Sequence, residues 1–449
     1  VADALETIFK AYDVRGLYPD EIDESVAKRV GNAFVRFTGA STVVVGHDMR
    51  PSSVPLAQAF VEGATMAGAD VVDIGLASTD LVYFASGHLD APAAMFTASH
   101  NPAQYNGIKL CRAGAAPVGE ATGLVQIKEA VAAGLVERAE ESGRVEHRDL
   151  LPDFAEHVRG FVDVGSLRPL RVVADTANGM GGLVVPRVFE GLPFDLTMLF
   201  AELDGTFPNH PADPIQPENL VALQKAVLET GADVGLAFDG DADRVFLVDD
   251  RAEPVSGSLT TAIVARGILE HTGPGETVVH NLICSKAVPE IIREMGGTPV
   301  RSRVGHSFIK QVMAETGAVF GGEHSGHYYF RDNWRADSGL IAALVVLEQL
   351  SATRTPLSEL RKPFERYAQS GEINTEVPDP AAVIERVAAE YADADQDRLD
   401  GLTVDLGDWW FNLRPSNTEP LLRLNLEAAD QLACDAHTHT VLAQIRADS

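Results

Sequence analysis

Three stretches of this chain repeat one pattern: an apolar run, a polar turn, a helix of small and apolar residues, and a second apolar run. TVVVGHDMRPSSVPLAQAFVEGATMAGADVVDIG from Thr42, RVVADTANGMGGLVVPRVFEGLPFDLTMLF from Arg171 and TVVHNLICSKAVPEIIREMGGTPVRSRVG from Thr277 each read as strand, helix, strand. That arrangement is a βαβ unit, and its recurrence implies three related α/β domains with mixed sheets. A chain of 449 residues exceeds what one hydrophobic core supports, which agrees with several domains and a cleft between them.

Past the third repeat the pattern changes. GLTVDL, DWWFNLR and the alternating LLRLNLEA read as strands, and a helix is expected from about Asp430, together a small α+β domain. Polar or charged runs near Asp149, Asp250 and Lys362 set the expected domains at 1–148, 149–250, 251–362 and 363–449. The helix DESVAKRVGNAFVRFT carries Val26, Val30, Phe34 and Phe37 at helical spacing, a core-facing stripe with no chemistry.

Charge narrows the partners. Lys and Arg number 36 against 65 Asp and Glu, a net charge of -29, which argues against nucleic acid and anionic membranes. An anionic small molecule remains possible wherever a few cations converge locally. Cys111, Cys284 and Cys434 show neither zinc spacing nor a disulfide framework and read as core thiols in a reducing compartment. The opening VADALETIFKAYDVRG has no basic region followed by an apolar run, and no later apolar stretch reaches spanning length, so a cytoplasmic location is expected.

Several loops carry reactive side chains. TASHNP, from Thr97 to Pro102, follows an apolar run, and a serine on such a turn can project into a cleft beside free backbone N–H groups; SHNP also suits a plain turn. FDGDADR, from Phe238 to Arg244, places three carboxylates in one loop, hard oxygen ligands of the kind Mg²⁺ takes. A calcium EF-hand fails there. With Asp239 as the first position, Arg244 stands where glycine is needed and Asp250 where glutamate is needed, and the flanks read as strands. GGEHSGH, from Gly321 to His327, and RPSNTEP, from Arg414 to Pro420, set polar side chains among turn formers and suit either surface turns or ligand grips. YDVRG offers Arg15 and NGIK offers Lys109, each by itself a solvated charge.

Taken together and in this order, FKAYDVRG, TASHNP, NGIK, DGDADR, GEHSGH and RPSNTEP resemble the α-D-phosphohexomutase superfamily over nearly the whole chain, and most of all its phosphomannomutase/phosphoglucomutase branch. The resemblance implies a four-domain monomer around a central cleft, with one loop from each domain lining it. It implies conversion of hexose 6-phosphate to hexose 1-phosphate, of mannose or glucose, through a phosphoserine and a hexose 1,6-bisphosphate, with Mg²⁺ as cofactor. On that basis Ser99 carries the phosphate and joins Asp239, Asp241 and Asp243 at the metal, with His100 adjacent and Arg244 on the phosphoserine or substrate. Lys109 matches the family's proton-transfer group, supported by Arg15, and His327 is the matching candidate in the sugar loop. Glu323 and Ser325 match sugar-hydroxyl contacts. Arg414, Ser416, Asn417 and Thr418 match the grip on the non-reacting phosphate, and Arg303 and His306 match a further contact loop. Ala242 departs from the second glycine many members have, and would be strained if that position needs a positive φ. The alternatives are a phosphoglucosamine mutase, a metal-dependent sugar-phosphate phosphatase, and a non-catalytic sensor; the last would be expected to have lost the serine or an aspartate.

Overall fold

The computed structural model describes residues 2–134, 136–415 and 421–447. Each expected βαβ repeat is present. Strands Thr42–His47 and Asp70–Leu76 pair in parallel across helix Ser53–Met66. Strands Leu170–Asp175 and Phe194–Leu199 do so across helix Gly181–Phe189, and Thr277–Asn281 and Thr298–Ser302 across helix Ala287–Glu294.

The repeat extends further than the sequence pattern suggests. In each domain a third strand lies parallel on the other side of the first: Ala93–Phe96, Val234–Phe238 and Phe320–Gly322. A fourth then turns back antiparallel to the third: Tyr105–Arg112, Val245–Asp249 and Tyr328–Phe330. Three mixed sheets therefore share the spatial order fourth, third, first, second. TASHNP, DGDADR and EHSGH are all the connection between third and fourth strands, the same topological position used three times.

The edge strand Pro254–Val255 continues the second sheet beyond the boundary expected at 250. The last sheet is antiparallel throughout, Ala368–Glu376, Leu421–Ala428, Trp409–Pro415, Leu402–Asp405 and Asp395–Asp397 in spatial order, and helix Gln431–Ile445 starts from an Asp430 cap.

One continuous apolar cluster runs through the first three domains, from Val44 and Phe84 through Val172 and Phe238 to Phe320 and Leu344. Helix Gly339–Thr353 contributes much of it and is buried over most of its length. Among the described residues no single helix is long and apolar enough to cross a membrane. The last domain has its own separate core, around Leu402, Phe411, Leu424 and Val441. It meets the third domain through polar contacts: Lys286 Nζ to Asp405 at 2.7 Å and the Lys286 amide to Glu427 at 2.9 Å. All three cysteines are buried and unpaired.

Candidate active site

Where a strand turns back on itself at the end of a buried sheet, the connecting residues stand at the sheet's rim, and here three such turns converge. Ser99 Oγ, from the first domain, donates to Asp239 Oδ2 of the second at 2.7 Å, and its hydroxyl lies 3.3 Å from His100 Nδ1. Gly240 is required at this junction because a Cβ there would stand 2.4 Å from the Ser99 carbonyl oxygen. Asp239, Asp241 and Asp243 are buried, and one oxygen from each lies within 4.8 Å of the others. Three carboxylates so close repel one another and demand a cation.

Two of the cations are side chains. Lys109 Nζ bridges Asp241 Oδ2 at 2.7 Å and Asp243 Oδ2 at 2.8 Å, and Arg244 Nε donates to Asp239 Oδ2 at 2.9 Å. Burial pushes the Asp239 carboxyl up to about 7 against the pull of Arg244. Burial works the same way on Asp241, yet Lys109 holds that carboxyl well below the usual carboxylate range. For Lys109 burial favours the neutral amine, but Asp241 and Asp243 outweigh it and keep the ammonium well above its ordinary value. Lys109 thus pairs with both carboxylates here, and the proton-transfer role that the resemblance implies would need this ion pair to open. Arg15 does not support it directly. Its guanidinium binds Asp13 at 3.0 Å and the side-chain oxygen of Asn101, in the serine loop, at 2.6 Å.

Several buried polar atoms in the cluster make no hydrogen bond: Asp241 Oδ1, Asp243 Oδ1 and Arg244 Nη2. Buried groups of this kind are ordinarily satisfied. Two free carboxylate oxygens suit a hard divalent cation, and a free guanidinium N–H suits a phosphate oxygen. The donor set therefore fits a metal ion of the Mg²⁺ type.

His327 comes from the third domain. Its Nδ1 lies 2.8 Å from Asp337 Oδ2 and 3.8 Å from Asp243 Oδ1, and Asp337 in turn lies 3.0 Å from Lys310 Nζ. Burial lowers the His327 pKa, but Asp243 and Asp337 outweigh it and raise it. His100 is pushed the other way, well below its ordinary value, by burial and then by Arg244.

The expected sugar and phosphate contacts are further apart. Glu323 is buried, accepting from Tyr329, Asn281 and the Gly305 amide at 2.5, 3.2 and 3.0 Å, so most of its lone pairs are already used. Ser325 is half-buried and its hydroxyl makes no hydrogen bond to the described residues. Arg303 is exposed, with its guanidinium 4.3 Å from the centre of the Phe308 ring, and His306 meets Tyr12 edge-on at 5.0 Å. Arg414 is paired with Glu372 at 2.6 Å, and its Nε is buried without a partner. Ser416, Asn417 and Thr418 lie outside the described residues.

Sequence reading missed Asp213, 3.7 Å from Arg244, together with Asp337, Lys310 and Thr79, whose Oγ1 donates to Asp241 at 2.6 Å. None stands in a motif, and only the fold brings them to the cluster. Ala242 takes a positive φ, 60°, the condition under which an alanine there is strained.

Known proteins share this arrangement over nearly the full length. Sequence models of the phosphoglucomutase/phosphomannomutase α/β/α domains I, II and III match residues 6–135, 152–253 and 256–367, and that of the C-terminal domain matches 372–443. A Xanthomonas campestris pv. campestris protein named for phosphohexose mutases is 42% identical over 429 residues, 95% of this chain and 96% of its own. A Salmonella typhimurium phosphomannomutase is 40% identical, with 97% of this chain and 98% of its own covered. The crystal structure of a Burkholderia thailandensis phosphoglucomutase/phosphomannomutase family protein superposes with a TM-score of 0.89 at 31% identity, covering 99% of this chain and 98% of that one. With its three repeated rim loops and its four matched domains, the chain belongs to the phosphoglucomutase/phosphomannomutase family.

Proposed function

We propose that this chain interconverts the 1- and 6-phosphates of mannose and glucose through a phosphoserine at Ser99 and a hexose 1,6-bisphosphate that turns over within the site. Intramolecular phosphoryl transfer of the phosphohexomutase type comes with the family. The assignment to Ser99 rests on one observation above all: its hydroxyl lies 2.7 Å from Asp239 in a cluster that also holds two carboxylate oxygens and a guanidinium nitrogen without hydrogen-bond partners. Mg²⁺ held by Ser99, Asp239, Asp241 and Asp243 would supply positive charge to the phosphoryl oxygens.

The chain's own residues supply the rest. Arg244, kept charged against burial by Asp239, adds a donor for the moving group. As the bond from Ser99 Oγ to phosphorus breaks, its electron pair stays on Oγ; a sugar oxygen bonds to phosphorus and loses its proton, and Oγ gains one, so that one proton passes in net from the sugar oxygen to the serine. Lys109, when its ion pair with Asp241 and Asp243 opens, takes that proton, and His327, with Nδ1 held by Asp337, offers its other ring nitrogen as a second proton-transfer group. Glu323 and Ser325 read sugar hydroxyls, Arg414, Ser416, Asn417 and Thr418 hold the phosphate that is not reacting, and Arg303 and His306 add a further substrate contact. The reading extends to a cytoplasmic monomer, in keeping with three free buried thiols.

The test is incubation with Mg²⁺, a trace of glucose 1,6-bisphosphate, and mannose, glucose or galactose 1-phosphate, with products identified by NMR. Mannose and glucose 6-phosphates are expected, with kcat/KM values within about a factor of 100 of one another, roughly 2.7 kcal/mol. Galactose, which inverts C4 and leaves a loop group unpaired, should be poorer than both. Release of inorganic phosphate without a 6-phosphate would overturn the reading in favour of a phosphatase.

A further inference from the structure

Arg50 belongs to the first βαβ repeat and to none of the motifs that carry chemistry, yet it is among the largest fully buried side chains of the molecule, 1% exposed. A guanidinium has five N–H donors, and here all five are used. Nε donates to Asp48 Oδ2 at 3.2 Å. Nη1 donates to the carbonyls of Pro102 and Tyr105 at 2.8 and 3.0 Å, and Nη2 to those of Ser99 and Asn101 at 2.8 and 2.7 Å. Three carbonyls of the Ser99 loop and one at the start of the strand that follows it thus turn onto one fork.

Ser99 also needs holding. Its φ is 49°, in the left-handed region where the Cβ of an L-residue is crowded, and a backbone in that state persists only where its surroundings over-determine it. The restraints are visible. The Ser99 amide donates to Thr97 Oγ1 at 2.9 Å, and its carbonyl is fixed by Arg50. Arg50 is itself anchored, since Asp48 also accepts from the Arg50 amide and from Ser53 Oγ, and Asn106 donates to Ser52 and Ser53. A loop of the second domain closes over it, where a Cβ on Gly205 would stand 2.5 Å from the Arg50 Cα and Phe207 lies 5.1 Å from the guanidinium.

We propose that Arg50 is the positioning residue of the serine loop: it touches no substrate, and by gathering these four carbonyls it sets the backbone geometry in which Ser99 Oγ meets Asp239. Asp48 fixes the guanidinium, and the second domain caps it. The proposal rests on Ser99 as the phosphoryl carrier, which peptide mapping of the labelled wild-type enzyme checks independently.

The discriminating variant is Arg50→Lys, which keeps the charge and length but offers at most three donors without a planar fork. In the metal-loaded full chain, thermal unfolding is measured beside kcat and KM for mannose 1-phosphate. Phosphorylation of the enzyme by glucose 1,6-bisphosphate is timed in parallel. The expected result is a folded protein whose KM stays within about threefold, while kcat and the phosphorylation rate both fall by about thirtyfold or more. A folded Arg50→Lys with both rates unchanged would overturn the proposal, as would a loss confined to KM. If Arg50→Lys does not fold, Asp48→Asn decides, because it retains all four guanidinium–carbonyl bonds and loosens only the anchor. A severalfold fall in kcat at constant KM supports the proposal, and an unchanged kcat contradicts it.

Discussion

The two ends of the proposed site are built differently. At the reacting end, Ser99, Asp239, Asp241, Asp243 and Arg244 are each no more than 5% exposed, and they are tied together across domains. The three domains that supply them share one apolar core. At the gripping end, Arg303 is exposed beside a phenylalanine of its own segment, and Arg414 comes from a domain with a separate core and a polar seam to its neighbour. The difference matches the work. Charge that develops in phosphoryl transfer is best met by dipoles and ions already fixed in a dry site, whereas a grip that must accept a phosphate on either end of a sugar needs room to adjust.

Damage at the two ends should therefore show up in different constants. Ser99→Ala removes the carrier and should lower kcat by more than roughly a thousandfold, about 4 kcal/mol in the barrier, with thermal unfolding little changed. Residual turnover at the wild-type rate would place the chemistry elsewhere. Asp241→Asn replaces a negative ligand by an amide, and Mg²⁺ titration should show weaker binding with kcat down by about ten- to a hundredfold. Full activity of the wild type in excess chelator would break the metal assignment. Arg414→Ala should leave kcat largely intact and raise KM for both mannose and glucose 1-phosphates by about tenfold, near 1.4 kcal/mol; a loss in kcat with constant KM would erase the contrast between the ends. The smallest effect belongs to Ala242, whose φ of 60° is costly for alanine and easy for glycine. Because glycine also loses more chain entropy on folding, Ala242→Gly should shift stability by less than about 1 kcal/mol in denaturant unfolding, with Mg²⁺ affinity retained.

What the sequence revealed follows the same division. The serine and aspartates were visible as short reactive runs beside apolar stretches, but their roles came from the ordered resemblance of six motifs, since each βαβ repeat read from the sequence ends before its reactive loop begins. Arg50 was not visible, since its partners are backbone carbonyls about fifty residues downstream that have no side-chain signature. Asp337 and Lys310 were hidden for a related reason: Asp337 reaches His327 through its bridge to Tyr329, and Lys310 reaches Asp337 from helix His306–Thr316, contacts that no motif records. Lys109 was found, but its charge state was not legible, because that depends on two carboxylates from another domain. In the last domain, AQSGEINTE forms a long strand without apolar alternation, since its pairing with Leu421–Ala428 supplies what its own pattern lacks.

The central claim is that Ser99 carries the phosphoryl group between the two ends of the sugar. The most direct measurement is to incubate the Mg²⁺-loaded enzyme with glucose 1,6-bisphosphate carrying a radioactive phosphate, map the labelled peptide, and chase with unlabelled mannose 1-phosphate. The account predicts one labelled peptide, containing Ser99, whose label passes to sugar phosphate during the chase and which never forms in Ser99→Ala. Label on any other residue, or none on an enzyme that still converts mannose 1-phosphate to mannose 6-phosphate, would contradict it.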